Sequence, residues 1–231
     1  MTHPSSRRLL PLTTLTLCAA LLGTTALAAS AGSTVASPSN ATVGNAPPAT
    51  ASADVQMLVR SAIHAGDNKG QAFAVVDKNN ARLFIYRADG TLSGTTPVLL
   101  GAARGDDSVP GIGERPMAKI KPSERTTPAG RFVSEPGRNM QGEDIVWVDY
   151  DAAVSMHRVR TSNKSERRAQ RLASPSIADN RISYGCINVP AAFYDAHVKP
   201  ALGNTQGVIY VLPEKQPIAQ RFGFLGGSAA D

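Results

Sequence analysis

The segment Ser183-Tyr184-Gly185-Cys186-Ile187-Asn188 places a thiol directly after a glycine and three residues after a hydroxyl. A glycine at that position lets the backbone approach a ligand closely or take a strained turn, which is what presenting a nucleophile requires. An ordinary thiol has a pKa near 8.5 and is only a few per cent ionised at neutral pH, so acyl chemistry needs a base or a cation beside it. The other cysteine, Cys18, falls in an N-terminal stretch with the features of an export signal, and its removal would leave Cys186 alone. A lone thiol in an oxidising compartment is a buried inert side chain, half of an intermolecular bridge, or a working nucleophile. The count by itself leaves these readings open.

Four histidines could serve such a thiol. His3 leaves with the signal. His64 sits near the end of a predicted helix, where a capping or solvated role is the ordinary reading. His197 follows Cys186 inside a predicted helix over 190–201. His157 ends the apolar run Val154-Ser155-Met156-His157, just before a basic loop. Taken alone it reads as a structural histidine as readily as a base.

The elements that must position these residues are legible in outline. Arg7 and Arg8 form a positive start, 9–22 is largely apolar, and Ala26-Leu27-Ala28 supplies small residues for cleavage, so 1–28 reads as a signal peptide. Leu17 before Cys18 disfavours a lipoprotein anchor. Residues 29–53 hold Ala, Ser, Thr, Pro, Gly and Asn with hardly a large apolar side chain, the composition of a flexible linker. A domain then occupies 54–231, with its core in 71–213. It opens on a docking helix whose apolar residues Val55, Leu58, Val59, Ala62 and Ile63 share one face, ending near Gly66. Strands are predicted over 72–76, 82–86, 97–100, 131–133, 145–150, 153–157 and 208–212, the first two as a hairpin. Residues 101–128, rich in Gly, Pro and charge, form a long surface excursion. A charged helix over 163–172 begins at Asn163 with Glu166 three residues on.

Composition narrows the partners. The formal charge is +6, and loss of Arg7 and Arg8 leaves 22 basic against 18 acidic residues, about +4. So mild an excess, without a basic stripe interleaved with aromatics, gives no reason to expect nucleic acid. No stretch after the signal reaches the roughly 18 apolar residues of a membrane span, so the processed chain is expected to be free of the membrane.

Four features in order resemble the L,D-transpeptidases, the YkuD-type catalytic domain. They are the hairpin with Val75-Val76-Asp77 and Leu83-Phe84-Ile85-Tyr86, the segment Thr127-Pro128-Ala129-Gly130-Arg131-Phe132, His157, and Ser183-Tyr184-Gly185-Cys186. The resemblance spans about 71–213. It implies a mainly β, single β-sandwich-like domain with short peripheral helices, exported to the periplasm or cell envelope. Cys186 would attack a carbonyl of a peptidoglycan stem peptide, release a terminal D-amino acid and pass the acyl group to an amine acceptor or a wall-anchored protein. His157 would be the base, oriented by Ser183 or a main-chain carbonyl, with N–H groups around Tyr184, Gly185 and Cys186 holding the oxyanion. No metal or other cofactor is implied.

The sequence departs from that pattern at three places. Arg158 stands where the family has Gly, Tyr184 where it has His or Arg, and Asn188 where it has Arg. Asn can hydrogen-bond a carboxylate but cannot neutralise it, so Arg158 or Arg181 is expected to supply the missing charge beside Tyr184 and Asn188. The interval from His157 to Cys186 is long, as if a charged helix were inserted over the site. Two other readings stand beside transpeptidation: a non-catalytic cell-wall-binding protein of the same fold, and an L,D-carboxypeptidase or amidase that passes the acyl group to water or another amine.

Overall fold

The computed structural model of the protein describes residues 51–226. The expected signal peptide, Cys18, His3 and most of the expected linker lie outside the described residues. Residues 51–53, which composition places in the linker, are structured: Ala51 is buried and Ser52 caps the first helix.

Helix α1 (Ala53–His64) buries Val55, Leu58, Val59 and Ala62 on one face, as the periodicity predicts. The Ser52 hydroxyl accepts from Val55 N–H at 3.3 Å and donates to Asp77 at 2.7 Å, so the cap also ties the helix to the first strand. Gly66, at φ 62°, turns the chain out of the helix.

Ten strands follow: β1 (Phe73–Asp77), β2 (Arg82–Tyr86), β3 (Leu92–Pro97), β4 (Leu100–Gly101), β5 (Gly130–Arg138), β6 (Asp144–Asp149), β7 (Val154–Arg158), β8 (Arg181–Ser183), β9 (Ile187–Val189) and β10 (Gly207–Val211). Eight form one sheet in the order β3-β2-β1-β10-β5-β6-β7-β9, and β4 pairs with β8. The β1–β2 pair is the expected antiparallel hairpin, with Val75 opposite Phe84. Beyond β3 the chain reaches across to the far edge, where Leu99 and Asn188 exchange two main-chain hydrogen bonds of 3.0 and 2.9 Å. The sheet is thereby nearly closed, and the protein is mainly β with a few short helices.

Alternation along β1 explains why the sheet has two cores. Ala74 and Val76 point inward with Leu83, Ile85, Met156, Ile187 and Ile209, while Phe73 and Val75 point outward with Phe84, Tyr86 and Tyr210. The outer face is covered by α1 and by α5 (Ile218–Arg221), which is why β1 and β10 are buried at every position. Each α1 side chain removed from water there contributes roughly 1.5–3 kcal/mol, Ala62 less.

Three expectations are corrected. The third strand is Leu92–Pro97 rather than 97–100, because an edge strand half-exposed to solvent carries too few apolar residues to stand out. The charged helix over 163–172 is two pieces, a 3-10 turn Lys164–Glu166 and α2 (Arg168–Ala173), broken where Arg167 takes a left-handed φ of 50°. The helix over 190–201 is α3 (Ala191–Phe193) and α4 (Lys199–Leu202), joined by the π turn Tyr194–Val198.

Candidate active site

β7 and β9 run parallel with His157 beside Asn188, two residues after Cys186. Along β7, Val154 and Met156 enter the inner core, so Ser155 and His157 share the other face. Both meet the thiol. Ser155 Oγ lies 3.7 Å from Cys186 Sγ, and the Ala153 carbonyl lies 3.6 Å away. The His157 ring lies close enough to the same sulfur for each group to shift the other's ionisation.

The electrostatics follow from this contact. Burial pushes the Cys186 thiol up, but the hydrogen bond and charge of His157, aided by the Ser155 main chain and hydroxyl, hold it below its ordinary value. Burial likewise pulls His157 down. The hydrogen bond and charge of Cys186 and the Arg158 carbonyl outweigh it, so the imidazole is raised. Both shifts favour a thiolate paired with an imidazolium. His157 Nδ1 sits 2.8 Å from the Arg158 carbonyl oxygen, which assigns the proton to Nδ1 in the neutral ring and leaves Nε2 as the nitrogen that can take a proton.

The orienting group is therefore a main-chain carbonyl, and Ser183 does something else. Its hydroxyl donates to the Cys186 carbonyl at 2.6 Å and accepts from Gly185 N–H at 3.1 Å, bracing the turn. Gly185 N–H is thus committed and is not free for an oxyanion. Among the described residues the N–H groups of Tyr184 and Cys186 have no such bond, and they remain the available pair. Gly185 holds φ 134°, and a Cβ there would stand 2.8 Å from the Thr126 carbonyl oxygen, so only glycine fits.

Thr127, the first residue of the Thr-Pro-x-Gly segment, anchors that turn from below. Its hydroxyl donates to the Gly185 carbonyl at 2.8 Å and accepts from Gly101 N–H at 2.9 Å. Its own carbonyl accepts from the buried Lys78 ammonium at 3.0 Å. Lys78 also meets Asp106 at 3.0 Å and Glu214 at 3.8 Å, and Arg181 meets Glu214 at 2.7 Å. Burial pulls the Lys78 pKa below its usual value despite these carboxylates.

Neither arginine proposed as the compensating charge reaches the cleft. Arg181 belongs to the buried group just described. Arg158 is held by Asp144 and Asp195 and lies 4.3 Å over the Tyr194 ring. The cation that sequence reasoning missed is Arg168, at the start of α2, whose guanidinium donates to the Asn188 side-chain oxygen. Asn188 in turn donates to the Cys186 carbonyl at 3.1 Å, so its amide is structural and fully buried. Arg168 is also close enough to oppose the His157 charge. The signal was present in the charged stretch between His157 and Cys186, but no spacing rule says which of its seven basic residues turns inward.

These groups border a cleft of about 260 Å³ that takes in Cys186, His157, Arg168, Arg160, Tyr184 and Met117. The long excursion folds over it: Arg125 stacks 3.8 Å from the Tyr184 ring and donates to the Ile120 carbonyl. His197 is elsewhere, against Ser93 at 3.0 Å and Phe193 at 4.5 Å between ring centres. His64 is exposed. No helix among the described residues is long and apolar enough to cross a membrane.

No protein-family model matches the chain, and no curated protein matches it. Among solved structures it is similar to the LD transpeptidase LdtMt1 in complex with imipenem, at 20% identity and a TM-score of 0.35 over 61% of this chain and 58% of that one. It is similar to the L,D-transpeptidase from Mycobacterium smegmatis at 18% identity, with the same TM-score and coverage. It is also similar to the helical cell shape determining protein Pgp2 from Campylobacter jejuni, at 14% identity and a TM-score of 0.43 over 69% of this chain and 57% of that one. The chain thus spans less than two thirds of the length of these structures. Identities this low leave activity to be argued from the site's own geometry.

Proposed function

We propose that the protein is an exported cysteine acyltransferase that acts on peptidoglycan stem peptides by L,D-transpeptidation. The observation that carries this reading is the coupled Cys186–His157 pair at the mouth of a cleft lined by Arg168 and Arg160. A thiolate supplies the nucleophile, and the guanidinium groups suit a substrate that ends in a carboxylate. The Cys186 sulfur attacks the carbonyl carbon before a terminal D-residue, and the oxyanion forms against the Tyr184 and Cys186 N–H groups. His157 then gives its Nε2 proton to the leaving amine as the C–N bond breaks, leaving a thioester and a free D-amino acid. An acceptor amine attacks the thioester, loses a proton to His157 and regenerates the thiolate. Residues 54–231 form the catalytic domain in this reading, and 1–28 directs export.

Incubation with purified peptidoglycan, followed by mass identification of the products, tests the proposal. New cross-linked peptides with release of a D-amino acid support it. Unchanged peptidoglycan from a folded protein, with Cys186 no more reactive to iodoacetamide than a free thiol peptide, refutes it and leaves wall binding without catalysis.

A further inference from the structure

Ser155 stands on β7 beside the reacting sulfur, and the chemistry above gives its hydroxyl no step. The residue is 6% exposed, with Trp147 on β6 as its cross-strand neighbour. A buried hydroxyl needs a hydrogen-bond partner. Among the described residues this one has only Cys186 Sγ, at 3.7 Å. The sulfur has a second neighbour of opposite character, the Ala153 carbonyl at 3.6 Å. A carbonyl can only accept, so it takes the S–H of the neutral thiol and offers nothing to a thiolate. A hydroxyl both donates and accepts, and towards a thiolate it turns as donor.

Ser155 and His157 therefore reach one sulfur from one face of one strand, and they divide the work. His157 exchanges protons with the amines, whereas Ser155 keeps its proton throughout. We infer that Ser155 is a further catalytic residue, whose hydroxyl donates to the Cys186 thiolate and sets the balance between free enzyme and thioester. This rests on the acyl-transfer reading above and deepens it. When the sulfur attacks the donor carbonyl, its electron pair is committed to the new C–S bond and the hydroxyl loses a charged partner. When an acceptor amine attacks the thioester, its C–N bond forms and its proton passes to His157. The electron pair of the breaking C–S bond then returns to the sulfur, where the Ser155 O–H meets it. The hydroxyl thus restrains attack and assists departure, and it keeps the enzyme from resting as a thioester.

Ser155→Ala should move the acid limb of iodoacetamide alkylation about one pH unit higher, a tenfold change in ionisation. Its plateau rate should rise about threefold, because a more basic thiolate is a better nucleophile and a poorer leaving group. During turnover of a stem tetrapeptide, at a pH on the plateau of both proteins, intact mass should show a ratio of thioester to free enzyme about tenfold above wild type, from attack about threefold faster and departure about threefold slower. Ser155→Thr keeps the hydroxyl and should match wild type. Ser155→Val, with the shape of threonine, should match Ser155→Ala, and the Thr and Val pair carries the test if the alanine variant does not fold. The ionisable groups around the sulfur are His157 from β7, Tyr184 from its own turn, and Arg160, Glu166 and Arg168 across the cleft; they are the same in every variant. An unmoved acid limb in Ser155→Ala, a lowered plateau, or equal shifts in the Thr and Val variants overturns the inference. Absence of a thioester from wild type and variants alike counts against the acyl-transfer reading instead, and the alkylation comparison still decides whether the hydroxyl donates to the sulfur.

Discussion

Beneath the turn that carries Cys186 lie Thr127, Ser183 and the charged group of Lys78, Asp106, Arg181 and Glu214, with Lys78 and Glu214 fully withdrawn from water. Above it, Arg160, Arg168 and Glu166 stand at the edge of solvent, and Arg168 keeps an ion pair with Glu166 across a single turn of chain. The two sides do different work. A buried, matched set of charges adds little net stability, yet removing one member leaves its partner unpaired at a cost of about 3–5 kcal/mol. That steepness fixes one arrangement of the Thr127–Gly185 contact and hence the direction of the thiol. Exposed charges cost little to rearrange, which suits a surface that has to admit a substrate.

The largest effect should come from the groups at the junction of the two sides. Cys186→Ser and His157→Ala should each reduce turnover on stem tetrapeptides by about three orders of magnitude or more, with the double variant little worse than either. The pH profile of kcat/KM should be a bell, with its acid limb below the ordinary thiol pKa and its alkaline limb above the ordinary imidazole pKa, following the directions of the two shifts. Iodoacetamide alkylation of Cys186 should follow the acid limb. In His157→Ala it should move to higher pH, since burial then acts on the thiol without its partner. Alkylation of that variant at the wild-type pH would break the pairing.

Next in size is the underside. Thr127→Val keeps the shape and leaves Gly101 N–H and Gly185 C=O without their partner, at about 1–3 kcal/mol for each group. Melting should fall by roughly 5–10 °C, and alkylation of Cys186 should slow, while Thr127→Ser should restore both. A slowed thiol in Thr127→Ser as well would place the effect in packing rather than in the hydroxyl.

The open side should respond more mildly and through binding. Arg168→Gln should raise KM for a donor ending in a free carboxylate by about tenfold, the size of one charge-assisted hydrogen bond. It should leave a donor with an amidated C-terminus almost unaffected. Equal loss on both donors would mean that Arg168 acts through Asn188 on the Cys186 turn instead.

How much of this was legible in the sequence follows the same division. Ser183, Gly185, Cys186, Thr127 and His157 sit in short local patterns, because a tight turn or a strand end constrains residue type at fixed spacing. The hairpin and α1 were visible through their periodicity. The excursion over 101–128 hid Lys78's partner Asp106, and nothing in the order of residues brings Glu214 to Arg181, since those contacts exist only after the sheet closes. Arg158 and Arg181 look as available as Arg168 in the sequence. Only the structure shows that Asp144 with Asp195 holds the first and Glu214 the second.

His197 marks where the site's chemistry ends, and its substitution should have the smallest effect. It lies on the π turn between α3 and α4, its ring centre 4.5 Å from that of Phe193 at a tilt of 31°, with Ser93 Oγ 3.0 Å from Nδ1. Gly94 on β3 leaves the space that its ring fills, since a Cβ there would come within 2.8 Å of the imidazole. The ring is thus a packing piece between the helical segment and the edge strand β3. His197→Ala should cost about 1 kcal/mol through lost ring contact and leave turnover and the alkylation profile of Cys186 unchanged. Melting of the variant, with kcat measured on the same preparation, checks both halves. Near-complete loss of turnover in a folded His197→Ala protein, together with a His157→Ala protein that still turns over, would move the base from β7 to the π turn.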